Sequence, residues 1–168
     1  TKDIYMYDPT QGTWDFYVSL PSTQLPVSGQ FKREITDAVG FAVTLNGPAG
    51  TKEKYLYVGL GDYGGNDIRD DKSNVLLEYN IGQNTWRETT PCALGVLSGS
   101  VCFVINGRAY IGTGSNSAPT GAWVVFDPAN DRDADINTFG WLQIDGPNIN
   151  TKRVGAIAFA LNGKGYFG

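Results

Sequence analysis

Apolar and polar positions along this 168-residue chain recur in three matched segments. Each opens with small and aliphatic residues around a phenylalanine, turns, and resumes as Tyr-aliphatic-Gly. The three runs are AVGFAV then YVGLG (Ala38 to Val43, Tyr57 to Gly61), SVCFVI then YIGTG (Ser100 to Ile105, Tyr110 to Gly114), and AIAFAL then YFG (Ala156 to Leu161, Tyr166 to Gly168). The matched phenylalanines Phe41, Phe103 and Phe159 lie 62 and 56 residues apart. A period of that size marks an array of supersecondary units. The first run of each unit is apolar at successive positions, as in a strand covered on both faces. Its small residues suit an inner strand, where neighbouring sheets converge.

The turn between the runs is Asn106-Gly107 in one unit and Asn162-Gly163 in another. Asn-Gly accepts the positive φ angles of a type I′ turn, a strong hairpin signal. Leu45-Asn46-Gly47 predicts the start of the same turn in the remaining unit, lengthened there by residues 48–53. The second strand closes on Gly59-Leu60-Gly61 or Gly112-Thr113-Gly114, and glycine within a strand predicts close approach of another backbone. A third strand ends in an aromatic before a turn, as in IYMYDP (Ile4 to Pro9), LLEYN (Leu76 to Asn80) and WVVFDP (Trp123 to Pro128). The fourth opens on Trp14, Trp86 or Trp141. The aromatic-to-Trp spacing is seven, seven and fifteen residues, so the last hairpin carries eight extra. A recurring Trp that buries roughly 150–250 Å² suits a wedge between sheets. Outer strands alternate polar residues, and no segment predicts an amphipathic helix.

Composition narrows the function. At 41% hydrophobic and 18% charged residues the chain is globular, and no apolar run approaches the ~18 residues of a membrane span. A net charge of −4 with no Lys/Arg cluster argues against nucleic acid. The chain contains no histidine. That removes His-built zinc sites, Ser-His-Asp and Cys-His nucleophile systems, and His-ligated copper from this sequence. Two cysteines make no disulfide framework. Cys102 fills the slot of Gly40 and Ala158, which demands a small side chain; Cys92, beside Pro91, is left unassigned.

The aromatic-Asp/Asn before a turn, the Trp opening the next strand and the YxGxG-like second strand resemble the kelch repeat. The segment KRVGAIAFALNGKGYFG resembles the bacterial kelch and galactose-oxidase-like propellers in particular. The resemblance implies an all-β kelch-type β-propeller segment of four-stranded antiparallel blades, an incomplete ring. It departs at the double Gly closing the second strand, here Gly-Leu-Gly and Gly-Thr-Gly. It departs again at the Arg opening the first strand, present only as Arg153 and replaced by Ile35 and Leu97. Residues 1–20 read as an outer half-blade, 35–90 and 97–145 as whole blades, and 153–168 as an inner half-blade. Propellers need ~4–8 blades. The missing blades are expected from a longer polypeptide or from a second copy, which would give a six-bladed ring with twofold symmetry.

In such propellers the loops from second to third strand, and from fourth to the next first strand, gather over the central channel. Here they are residues 62–73, 115–121, 21–35 and 91–97. The first, DYGGNDIRDDKS, would offer Tyr63, Asp67, Arg69 and Asp70 to a polar ligand such as a sugar, or form a solvated turn-rich loop. Arg153 is expected at the channel mouth, for anionic or sugar recognition or in a rim salt bridge. The insert DPANDRDADINTFG places Asp131, Asp133 and Asp135 at alternating positions, a spacing that suits calcium. Ile136 and Leu142 stand where an EF-hand would need Gly and Glu, which favours a charged hairpin. The expected function is a non-catalytic binding module for a protein or glycan, with no obligatory cofactor. The alternative is part of a carbohydrate-active kelch enzyme of the sialic-acid-mutarotase kind. The acidic, Asn/Thr/Gly-rich composition points to an extracellular or periplasmic location.

Overall fold

The computed structural model describes residues 3–21, 35–62, 73–132, 140–147 and 152–168. An outer hairpin comes first, β1 (Asp3–Asp8) with β2 (Thr13–Ser19). A four-stranded antiparallel sheet follows in the order β3 (Val39–Asn46), β4 (Lys52–Gly59), β5 (Leu76–Asn80), β6 (Thr85–Glu88); we call it blade A. Blade B opens with β7 (Val101–Ile105) and β8 (Arg108–Gly112). A two-residue ribbon, β9 (Ser115–Asn116) and β10 (Ala118–Pro119), occupies its next loop. β11 (Trp123–Phe126) and β12 (Trp141–Ile144) complete blade B in the order β7-β8-β11-β12. An inner hairpin, β13 (Ala158–Leu161) with β14 (Lys164–Phe167), ends the chain. The inner strand β7 packs on both β3 and β13, so the sheets stand side by side as propeller blades do.

The repeating residues of the sequence are cross-strand pairs. Phe41 sits opposite Tyr57, Phe103 opposite Tyr110 and Phe159 opposite Tyr166. All three pairs stack nearly parallel, with ring centroids 4.9, 5.3 and 5.3 Å apart. In the outer hairpins the aromatic before the turn faces the Trp after it: Tyr7 and Trp14, Tyr79 and Trp86, Phe126 and Trp141. These rings lie 5.1, 4.8 and 4.6 Å apart at similar tilts. The eight extra residues of the last hairpin therefore leave its register unchanged, because the pair that sets it is outside the insert.

Blades A and B share one core. Phe126 is fully buried and meets Phe41 and Tyr57 edge-on at 6.4 and 5.5 Å. The N-terminal hairpin packs its other face on blade A, with Leu20 against Val75 and Leu77 and Tyr17 edge-on to Tyr79. Glycine makes the approach of the last hairpin possible, since a Cβ at Gly165 would overlap the Phe103 ring. Cys92 joins the core, and burial pushes its thiol up to about 11 and that of Cys102 to about 12. Both act as apolar filler.

Two turns show where local sequence is and is not decisive. Asn106-Gly107 and Asn162-Gly163 all have positive φ, as a type I′ turn requires. In blade A the expected Asn46-Gly47 turn is displaced. Strand β3 runs on through Asn46, and the left-handed pair is Ala49-Gly50, closed by Thr51 N–H donating to the Pro48 carbonyl at 3.1 Å. Pro48 presets φ at the corner before that pair, so the longer loop turns later.

Candidate functional site

The loop face is organised by backbone. Position 37 of blade A, 99 of blade B and 155 of the last hairpin each lie four residues before the matched phenylalanine, and all three have positive φ. Gly99 N–H donates to the Asp37 carbonyl at 2.8 Å, and Gly155 N–H donates to the Gly99 carbonyl at 3.0 Å. One hydrogen bond thus steps from each blade to the next. Alongside, Gly114 N–H donates to the Arg153 carbonyl at 2.8 Å, and Thr36 with Asp62 and Ser98 with Ser115 form two bridges between loops. Sequence reasoning missed this ladder because Asp37 stands where the other two units have Gly.

Of the residues expected at a ligand site, Arg153 lies on this face. It is half-buried, and its guanidinium carbon stands 5.4 Å from the centre of the Phe167 ring, a cation–π distance. Tyr63, Asp67, Arg69 and Asp70 lie outside the described residues. The middle residues of Gly-Leu-Gly and Gly-Thr-Gly take the strain there: Leu60 and Thr113 are wholly buried with φ of 52° and 60°. Thr113 is also β-branched, and its buried Oγ1 has no hydrogen-bond partner among the described residues. Thr113→Gly should relieve both costs against the loss of a buried Cβ and methyl and glycine's larger unfolded-state entropy, leaving stability unchanged or raised by up to about 1 kcal/mol in urea titration. A destabilised variant would show that the side chain contributes more than it strains.

The strongest electrostatics lie elsewhere, where blades A and B meet at their outer strands. Glu78 is buried in β5, and its carboxylate takes Arg87 Nε and Nη2 at 2.9 and 2.8 Å, Tyr57 OH at 2.6 Å and Arg132 Nε at 3.1 Å. Arg132 comes from the last long hairpin, contacts Glu78 through Nη2 as well, and stacks over the Tyr55 ring at 3.4 Å. Asp131 beside it is buried, 2.9 Å from Arg87 Nη2 and accepting the Thr90 N–H at 3.0 Å. Trp141 Nε1 donates to the Thr90 carbonyl at 2.8 Å. Burial works to raise the Glu78 carboxyl, but the hydrogen bonds from Arg132, Arg87 and Tyr57 hold it below the ordinary value. Burial and the Glu78 charge push the Tyr57 hydroxyl up.

The groove beside this cluster holds about 420 Å³ and is lined by Tyr55, Glu78, Trp86, Arg87, Asp131 and Arg132. The insert that spacing related to calcium therefore contributes Asp131 and Arg132 to an inter-blade ion network. Asp133 and Asp135 lie outside the described residues. The described residues contain no group of three His, Cys, Asp or Glu placed to hold a metal ion. The sequence carried one trace of the network, a lone Glu inside the apolar run LLEYN with Arg87 directly across the sheet.

No protein-family model and no curated protein sequence matches the chain. Among solved structures it is similar to one titled "Structure of YjhT", with a TM-score of 0.60 and 14% identity over 98% of this chain. The chain spans about half the length of that structure, 49%. At this identity the likeness is one of fold. The protein is thus an all-β array of four-stranded antiparallel blades, an incomplete propeller. No helix among the described residues is long and apolar enough to cross a membrane.

Proposed function

We propose that this chain is a non-catalytic recognition module that binds a protein or glycan through the loop face of a kelch-like propeller. One observation carries the reading. Glu78 and Tyr57, both displaced from their ordinary values, and the two arginines beside them are saturated by one another across the blade interface. Displaced groups of that kind mark catalytic centres when they have a proton to move in a cleft; Glu78 does line a groove, but its carboxylate is already taken up by Arg87, Arg132 and Tyr57. Here they bind two blades together. Recognition is left to the loop face, where Arg153 stands over Phe167 with its guanidinium edge available to a carboxylate or sugar hydroxyls. An extracellular or periplasmic ligand fits the acidic, Asn/Thr/Gly-rich composition.

A second reading, part of a sialic-acid-mutarotase-like enzyme, draws on the same Arg153, because an acidic sugar carries the carboxylate that an arginine takes. A glycan array with the 168-residue chain, repeated with Arg153→Ala, tests the site. We expect selective binding that falls at least tenfold in the variant. Equal binding by both proteins would remove Arg153 from the site.

A further inference from the structure

A groove of about 740 Å³ opens between the two complete blades, at the strand ends opposite the loop-face ladder. The end of β3, the first residue of β4, the β7–β8 turn and the stretch after β11 line it, and neither terminal hairpin contributes to it. Its charges run against the composition. The chain carries 13 Lys and Arg against 17 Asp and Glu, yet the groove is lined by Lys52, Arg108 and Arg132 and by one acid, Asp127. A cleft lined mostly by one sign of charge focuses its field and concentrates counter-ions.

Each cation is anchored on one side. Asp127 accepts Arg108 Nε through Oδ2 at 2.8 Å and the Ala129 N–H through Oδ1 at 3.1 Å, so both of its oxygens are occupied. It fixes the Arg108 guanidinium and leaves both Nη groups without a hydrogen-bond partner among the described residues. Lys52 is exposed and held by the side chain of Asn46, its cross-strand partner. Arg132 is held from the interior by Glu78 and the Tyr55 ring. We propose that this groove is a second binding site, for a phosphate- or sulfate-bearing ligand of up to disaccharide size. The Arg108 Nη pair takes the oxyanion end-on, and the Lys52 ammonium supplies a second charge. Donors that converge from three separate elements suit a tetrahedral anion, with oxygens in several directions, better than a planar carboxylate. The volume is in the range of small-molecule sites. This site shares no residue with the loop face, so it stands or falls apart from Arg153.

Titration calorimetry at fixed low ionic strength tests the site with two probes, inorganic pyrophosphate and a trisulfated disaccharide, and with sucrose as the neutral control. We expect anion binding and no heat from sucrose. Binding of the disaccharide alone would assign a sulfated saccharide, and binding of pyrophosphate alone a phosphorylated ligand. Arg108→Gln and Lys52→Gln, both at exposed positions, should each weaken binding by about fivefold or more. Arg108→Lys keeps the charge but loses the fork, and should weaken it by about twofold or more. Lys164→Gln, on the last hairpin, and Arg153→Ala should leave it unchanged. Failure of both anions to bind would overturn the proposal. An equal loss in Lys164→Gln would overturn it too, by reducing the effect to general attraction between exposed cations and an anion. A loss confined to Arg153→Ala would place the anion on the loop face instead.

Discussion

Phe126→Ala should destabilise the protein by about 3–5 kcal/mol. The ring is fully buried at the junction of the blades, edge-on to Phe41 and Tyr57 and 4.6 Å from Trp141. Its removal strips contacts from both sheets at once. The strands on either side are held in register by their ladders, so the void collapses only in part. In a chain of this size the melting temperature should fall by on the order of 10 °C. Phe126→Leu keeps most of the volume and should cost under ~2 kcal/mol. Chemical denaturation of the three proteins checks the ranking. A cost below ~1 kcal/mol for the alanine variant would mean that the two blades do not share a core.

Glu78→Gln should cost about 2–4 kcal/mol at neutral pH. Removing one partner of a buried ion pair leaves the others uncompensated. The loss stays below the upper limit because Arg87 and Arg132 side chains retain 36% and 25% exposure, so water recovers part of it. The pH dependence follows from the direction of the shift. The folded carboxyl titrates below the ordinary 4.5, so its contribution is present in full above that value. It is lost as pH falls through the lower, folded value. The wild-type and Glu78→Gln stability curves should therefore converge on acidification below about pH 4.5 and run parallel above it. A difference that stays constant into acid would show that Glu78 acts through packing rather than charge.

What was legible in the chain was what repeats. The Phe–Tyr and aromatic–Trp pairs recur at fixed positions because each sits directly across a hairpin, where a short turn sets the register. Asn106-Gly107 and Asn162-Gly163 were legible because their backbone conformation is a local property. The Ala49-Gly50 turn was not, since Asn46-Gly47 offers the same chemistry three residues earlier and only the length of the ladder decides. The ion network escaped for a different reason. Glu78 and Arg132 are 54 residues apart and meet only when one blade leans on the next. Nothing in the spacing of Asp131, Asp133 and Asp135 distinguishes a cation loop from a hairpin whose first Asp turns back onto Thr90 and Arg87. Arg153 was legible only as a position before an inner strand; its carbonyl accepts the Gly114 N–H and its guanidinium stands over Phe167.

Recognition without catalysis is the centre of this account, and anomer exchange tests it most directly. With N-acetylneuraminic acid and the 168-residue chain, magnetisation exchange between the α and β anomers can be followed by NMR beside a protein-free control. We predict unchanged exchange, even under conditions where line broadening of the sugar reports binding. Accelerated exchange that is lost in Arg153→Ala would contradict the binding reading and establish the enzymatic one.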